Sequence, residues 1–139
     1  MRIVNHQLTL KTKGYSDIIN ITDDLESILR NEKFKNGVMV VTCPGSTGAV
    51  TTCEYESGLI EDLKELFERL IPQNKRYAHD AAWGDGNGFS HLRASLIGPS
   101  LSIPFDNGRL VLGTWQQIIF IDFDNRSRDR RLYVQFIGD

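Results

Sequence analysis

The fold class is decided by residues 100–137, SLSIPFDNGRLVLGTWQQIIFIDFDNRSRDRRLYVQFI. Runs rich in β-branched and aromatic residues alternate there with turn-forming residues. They predict four strands, at Ser100–Phe105, Leu110–Thr114, Ile118–Phe123 and Leu132–Ile137. The sequence Asp106-Asn107-Gly108 is typical of a tight hairpin between the first two strands. The C-terminal part of the chain therefore predicts a largely antiparallel meander.

The clearest helix upstream of this meander covers Leu59–Ile71. Apolar residues recur there at three- and four-residue steps, charged residues fill the other positions, and Pro72 ends the helix. One apolar face of the helix should therefore be buried. We expect four side chains beneath it: Leu63, Leu66, Phe67 and Leu70.

Shorter segments complete the predicted architecture. Asp23 is expected to N-cap another helix, with Glu26 completing a capping box, and His91–Ile97 predicts a further short helix. Strands are predicted within the first 21 residues, at Val38–Val41 and at Ala49–Tyr55, whereas residues 73–88 show no period and predict a long loop. The prediction is one α+β domain over residues 1–139, a mostly antiparallel β-sheet packed with two or three helices.

Composition and charge exclude several classes of protein. With 139 residues, 40% hydrophobic and 24% charged, the chain fits an ordinary globular domain. Its 16 Lys+Arg and 18 Asp+Glu give a net charge of −2, which provides no basic field for nucleic acid. No apolar run is long enough to span a bilayer, the start MRIVNHQLTL is too polar for a signal peptide, and Cys43 and Cys53 lack metal or CxxC spacing. We expect a cytoplasmic protein that binds neither nucleic acid nor membrane.

The first polar cluster is Ser46-Thr47-Gly48, followed by Thr51, Thr52 and Glu54. Small hydroxyl residues beside glycines expose backbone N–H groups that can hold a phosphate. No lysine follows the glycines, so this segment is not a P-loop. The alternative is an ordinary turn at the start of a strand, with solvated hydroxyl groups.

The second polar cluster is the stretch of residues 77–91, which holds His79 and His91. Their separation suits a metal pair or an acid–base pair, but matches no short metal motif. Two histidines are too few for a tight structural zinc site. A third ligand would have to come from elsewhere: Asp80, Asp85, Glu54 or another subunit.

The third polar cluster is the arginine-rich segment of residues 122–131. Four arginines within six residues (Arg126, Arg128, Arg130 and Arg131) form a local anion trap, partly balanced by three aspartates. The alternative is a solvated turn with weak internal ion pairs. Strand alternation places Arg131 on the face opposite Leu132.

Three blocks of the chain together resemble the YjbQ-like family: STGAVTTCEYESG at 46–58, GNGFSHLRASLIGPSLSIP at 86–104 and GRLVLGTWQQI at 108–118. The family is named for a secondary thiamine-phosphate synthase activity. That reaction joins a hydroxymethylpyrimidine diphosphate to a thiazole phosphate and releases pyrophosphate. Family members form homotrimers. The resemblance therefore implies a homotrimeric protein that acts on a small phosphorylated metabolite.

The resemblance also implies roles for individual residues. The family's functional positions fall on His79, His91, Asn87 and Glu54, which are the expected catalytic residues, and both histidines are candidate metal ligands. Ser46 stands where many members carry a histidine, so we expect a loosely bound divalent metal or none. The residues that we expect to bind substrate are Ser46, Thr47, Thr51, Asp85, Trp115, Gln116, Arg128, Arg130 and Arg131.

Two functional hypotheses follow for this site. One is a transferase of the thiamine-phosphate synthase type, in which a histidine acts as general acid or metal ligand. The other is a non-catalytic trimeric protein that binds a metabolite or an ion in the same cavity. The segment Ile118–Ile121 is apolar on both strand faces, and we expect a subunit contact to cover one of them.

Overall fold

The structure is a computed structural model that describes all residues from Met1 to Asp139. Eight strands and four helices follow one another in the order β1 (Arg2–Thr12), β2 (Asp17–Asn20), α1 (Thr22–Glu32), β3 (Gly37–Thr42), β4 (Gly48–Glu54), α2 (Ser57–Leu70), α3 (Ala78–Trp83), α4 (Gly88–Ile97), β5 (Ser100–Asp106), β6 (Arg109–Leu110), β7 (Gln116–Asp122) and β8 (Arg128–Gly138). No helix combines the length and apolarity that crossing a membrane requires. The predicted α+β class with antiparallel strands is confirmed.

Two antiparallel sheets form the framework of the molecule. Five strands lie in the order β1-β8-β3-β5-β6, and three lie in the order β2-β7-β4. The predicted hairpin joins β5 to β6, and its turn residues Asn107 and Gly108 have φ values of 50° and 75°. Asparagine and glycine tolerate this left-handed conformation, which a tight hairpin turn requires. β6 is only two residues long, so the strand predicted at Leu110–Thr114 is mostly irregular.

Two apolar clusters lie on opposite faces of β7. Ile118 and Phe120 belong to the main core together with residues of the five-stranded sheet, whereas Ile119 and Ile121 pack with residues of α2 and α4 such as Phe67. All four β7 side chains are fully buried within one chain. The expected need for a subunit contact at this strand is therefore wrong, because the chain's own helices cover the second face.

Helix α2 forms close to its predicted bounds, but its burial differs from the prediction. The Glu56 carboxylate accepts hydrogen bonds from the N–H groups of Gly58 and Leu59, each at 2.8 Å, which caps the helix. Only Phe67 is buried, Leu63 and Leu66 are half-buried, and Leu70 is 58% exposed. The helix lies at the rim of the smaller cluster, so only one of its residues reaches the interior.

Local hydrogen bonds explain two further differences from the predicted helices. The capping box at Asp23 does not form, because helix α1 begins at Thr22, whose N–H donates to the Asn20 side chain at 3.0 Å. The stretch of residues 73–88 contains a short helix, α3, where a loop was predicted. Asp80 accepts the N–H of Tyr77 at 3.2 Å, so a capping interaction rather than apolar periodicity marks this helix.

Candidate functional site

The two histidines of the second cluster lie against each other. His79 on α3 and His91 on α4 have ring centroids 4.3 Å apart, with the rings tilted by 39°. Gly84 and Gly86, with φ values of 73° and 68°, fold the intervening chain back. Burial, followed by the neighbouring His79, lowers the pKa of His91. The imidazole of His91 is therefore held in its neutral form near pH 7.

Two carboxylates face His79. Its Nδ1 atom is 3.6 Å from an oxygen of Asp85 and 3.9 Å from an oxygen of Asp80. Asp80 accepts a hydrogen bond from the N–H of Gly88 at 2.8 Å, and this bond is the main reason that the pKa of Asp80 lies below its ordinary value. Two buried side-chain atoms here have no hydrogen-bond partner, Nδ1 of His79 and Oδ1 of Asn87.

Behind the histidines lies a network of aspartates and arginines. Asn87 donates to Asp124 at 3.2 Å, and Asp124 accepts from Arg128 at 2.6 Å. Asp122 accepts two hydrogen bonds from Arg130, each at 2.8 Å. For both aspartates, burial acts to raise the pKa, but hydrogen bonds outweigh it and the net pKa is lowered.

This pairing changes the interpretation of the arginine-rich segment. Arg128 and Arg130 are ion-paired rather than free, and Arg130 also donates to the Thr47 hydroxyl at 2.7 Å. Arg131 pairs across the sheet with Thr9 and lies on the exposed face of β8, opposite the buried Arg130. Two of the four arginines in the segment are thus paired with aspartates, and Arg131 lies on the face of β8 opposite Arg130.

A pocket of about 210 Å³ lies beside this network. It is lined by Gly45, Ser46, Gly48, Ala94, Ser95 and Pro99, so the first polar cluster forms one wall and α4 the other. The N–H groups of Gly45, Ser46 and Thr47 donate no hydrogen bond within the chain. Ser95 lies four residues after His91, which places both on one helix face about 6 Å apart along the axis.

The predicted residues of β4 and β7 lie away from the histidines. Gly48 pairs with Asp122 at the site end of β4, whereas Glu54 pairs with Gln116 at the far end. Six residues of strand separate these ends by about 20 Å. Glu54 and Gln116 therefore do not share the histidine site within one chain.

Two other predicted residues are also outside this site. Thr51 sits in the middle of β4, three residues or about 10 Å beyond Gly48. Trp115 precedes β7 at its far end and is 73% exposed, so it neither packs in the core nor faces the histidines.

The largest cavity of the molecule lies elsewhere. Its volume is about 520 Å³, and it sits between α1 and the β5–β6 hairpin, lined by Glu26, Arg30, Phe34, Asn107, Gly108 and Arg109. It holds no histidine, cysteine or hydroxyl side chain. The histidine end of the molecule therefore remains the stronger candidate for chemistry.

Sequence analysis missed the buried residues whose hydrogen bonds fix the arginines and Asn87 next to the histidines. By sequence, Asp122 and Asp124 only balance the charge of the arginines, and nothing marks Thr12, whose hydroxyl donates to Asp122. The alternation of Asp122 with Asp124 and of Arg128 with Arg130 was the available signal. Arg128 and Arg130 lie on the same side of β8, where Arg130 pairs with Asp122 at the end of β7 and Arg128 pairs with Asp124 in the turn that follows.

Comparison with known proteins agrees with this architecture. Residues 6–139 match the family described as UPF0047 protein YjbQ-like. The chain belongs to this family. A UPF0047 protein of Archaeoglobus fulgidus is 42% identical over 129 residues, covering 93% of this chain and 98% of the relative. The UPF0047 protein YugU of Bacillus subtilis is 30% identical over 94% of this chain and 97% of its own length.

Solved structures of YjbQ-like proteins share the whole fold. A YbjQ-like protein of unknown function from Sulfolobus solfataricus has a TM-score of 0.94 at 28% identity, covering 99% of both chains. The hypothetical protein APE1520 of Aeropyrum pernix has a TM-score of 0.91 at 33% identity, covering 98% of this chain and 99% of its own. These likenesses confirm the predicted family and fold, and these two proteins are themselves described as being of unknown function and hypothetical.

Proposed function

We propose that the pocket between residues 44–48 and α4 binds the phosphate group of a small metabolite. The observation that carries this proposal is the set of three consecutive N–H groups, of Gly45, Ser46 and Thr47, that have no acceptor within the chain, the first two belonging to residues that line the pocket. Backbone N–H groups in a glycine-containing turn provide a concave set of donors suited to an anion. A volume of about 210 Å³ suits a phosphate with a small attached group.

Arg130 brings one corner of its guanidinium close to the Gly45 wall of this pocket. Its Nη1 atom lies 3.5 Å from the position that a Cβ atom on Gly45 would occupy. The Nε and Nη2 atoms of Arg130 bind Asp122 and Thr47, whereas Nη1 donates no hydrogen bond. The Asp122 pair therefore fixes the guanidinium while one of its corners remains available to a phosphate oxygen.

The reaction that we propose is the thiamine-phosphate synthase reaction implied by the sequence resemblance, with this pocket holding the diphosphate end of the pyrimidine substrate. The bond between the methylene carbon of the hydroxymethylpyrimidine and its diphosphate oxygen breaks. Pyrophosphate leaves with the electron pair, and the thiazole nitrogen forms the new bond to the methylene carbon. Donors fixed around the leaving pyrophosphate stabilise the charge that develops on it. His91, one helical turn from Ser95, contributes a hydrogen bond at the same end.

Filling the pocket tests the binding proposal. Ser95 is exposed and lines the pocket, so Ser95→Phe should block it without disturbing the core. Leu96→Phe, an equally bulky change at the next position of α4, is the matched control because Leu96 does not line the pocket. Calorimetric titration with pyrophosphate should show binding to the wild type and Leu96→Phe, but not to Ser95→Phe. Equal affinities for all three proteins would contradict the proposal.

Substituting the histidine separates the transferase from the non-catalytic binder. Turnover is followed by phosphorus NMR as pyrophosphate release from hydroxymethylpyrimidine diphosphate and thiazole phosphate. A transferase should lose turnover but keep pyrophosphate affinity in His91→Gln. If the wild type binds pyrophosphate but shows no turnover, the result would instead support a non-catalytic binding protein.

A further inference from the structure

We propose that His79 and Asp80 on α3, together with Asp85 in the loop that follows, hold one divalent transition-metal ion. Their ligand atoms all lie within 4.8 Å of one another. None of these three residues lines the proposed phosphate pocket, so the metal site is a separate inference about a neighbouring place.

The arrangement around Nδ1 of His79 calls for a cation. This nitrogen is buried and has no hydrogen-bond partner, and a carboxylate oxygen of Asp85 and one of Asp80 lie within 3.9 Å of it. When the imidazole is neutral with its proton on Nε2, three lone-pair-bearing atoms face one another without a donor between them. An ion between them would be bound by all three, because each is a metal ligand in its unprotonated form, and it would give Nδ1 of His79 the partner that it lacks.

The distances suit a shared ion better than a hydrogen bond. At 3.6 Å and 3.9 Å, the separations of Nδ1 from Asp85 and Asp80 exceed hydrogen-bond length. Two ligands that each lie about 2.1 Å from one ion are separated by up to roughly 4.2 Å. Both observed separations fall below that limit.

Backbone groups at the starts of α3 and α4 fix one of the ligands without an ion. Backbone N–H groups of Tyr77 and Gly88 hold the two oxygens of Asp80, so its carboxylate is fixed. The second buried atom without a hydrogen-bond partner, Oδ1 of Asn87, belongs to the residue directly before Gly88. Asp85 is half exposed and follows Gly84, so it can adjust to the ion.

The donor set indicates the class of metal. One imidazole nitrogen with carboxylate oxygens favours first-row transition metals over Mg²⁺ and Ca²⁺, which prefer oxygen ligands alone. Affinity for divalent ions at such sites generally rises from Mn²⁺ towards Zn²⁺. Three protein ligands leave at least one coordination position open, which is typical of a zinc site that also binds water or substrate.

The inference is tested by zinc titration of the full-length chain, stripped with a chelator and kept free of phosphate. Competition with a chromophoric chelator should show one Zn²⁺ per chain, bound more tightly than Mn²⁺ or Mg²⁺. Asp85→Asn should weaken zinc binding by at least about tenfold, and His79→Gln by about a hundredfold. The matched control is Asp62→Asn, an exposed acid on α2 that should leave the affinity unchanged.

Two readouts keep this test independent of folding and of the phosphate proposal. Circular dichroism compares the fold of each variant with the wild type, and substitution of zinc by Co²⁺ should give visible absorption bands that Asp85→Asn alters. Ser95→Phe should keep full zinc affinity even where it loses pyrophosphate. Absence of zinc binding by the wild type, or equal affinities for Asp85→Asn and Asp62→Asn, would overturn the metal site while leaving the phosphate proposal standing.

Discussion

Replacing Arg130 with methionine removes the ion-pair partner of Asp122 and should destabilise the protein strongly. Asp122 is fully buried, Arg130 is only 6% exposed, and two hydrogen bonds of 2.8 Å join them. Removing one member of a buried pair leaves an unpaired charge and costs roughly 3–5 kcal/mol. The matched control is Arg131→Met, the same change at the next position but on the exposed face, which should alter stability by no more than about 0.5 kcal/mol.

The loss of unfolding free energy caused by Arg130→Met should depend on pH in a definite direction. In the wild type the pKa of Asp122 is lowered in the folded state, so this contribution to stability is present above the carboxyl's unfolded pKa. This contribution is lost as the pH falls through the pKa that Asp122 has in the folded state. In Arg130→Met burial dominates, the folded pKa of Asp122 rises above the unfolded value, and protonation in acid relieves the penalty.

Urea unfolding of both proteins at pH 7 and pH 4 measures this difference. The free energies of unfolding of the wild type and Arg130→Met should differ most at pH 7 and converge in acid. A loss at neutral pH below about 1 kcal/mol, comparable to an exposed ion pair, would refute the reasoning. So would a difference that grows as the pH falls.

Three further predictions concern packing, backbone and assembly. Leu25→Ala, in the fully buried core, should lower the free energy of unfolding by about 2–5 kcal/mol, whereas Leu70→Ala, at a mostly exposed position, should cost less than about 1 kcal/mol in the same urea assay. Gly37→Ala should lower the urea midpoint more than Gly84→Ala, because its Cβ would collide with the carbonyl oxygen of Ile137 whereas a Cβ at Gly84 meets nothing. Sedimentation equilibrium should give three times the mass of one chain, as the family resemblance implies, and a stable monomer at micromolar concentration would contradict that assembly.

The strands and the main helix could be predicted from sequence because their signals are local. Alternation along β8 separates the buried Arg130 from the exposed Arg131, and the Asn107-Gly108 turn marks the hairpin. Helix α3 was missed since its six residues have no apolar period and are marked only by capping. The burial of α2 was overestimated because periodicity identifies an apolar face but not what covers it.

The candidate site was predictable only where neighbours in sequence are also neighbours in space. The glycines between His79 and His91 indicated that the chain folds back, and the two rings do lie together. Glu54 was grouped with Ser46 by sequence proximity, yet strand β4 carries it about 20 Å from Gly48. The pairing of Asp122 with Arg130 depends on a turn whose geometry no local pattern specifies.

Nitrogen–proton NMR during a pyrophosphate titration tests the central claim most directly, since it observes the proposed donors themselves. The N–H resonances of Gly45, Ser46 and Thr47 should move downfield together as they begin to donate to phosphate oxygens, and Ser95→Phe should abolish the shifts. Shifts confined to Gly108 and Arg109, which line the larger cavity beside Arg30, would place the anion elsewhere and contradict the claim. An unchanged spectrum at millimolar pyrophosphate would contradict it as well.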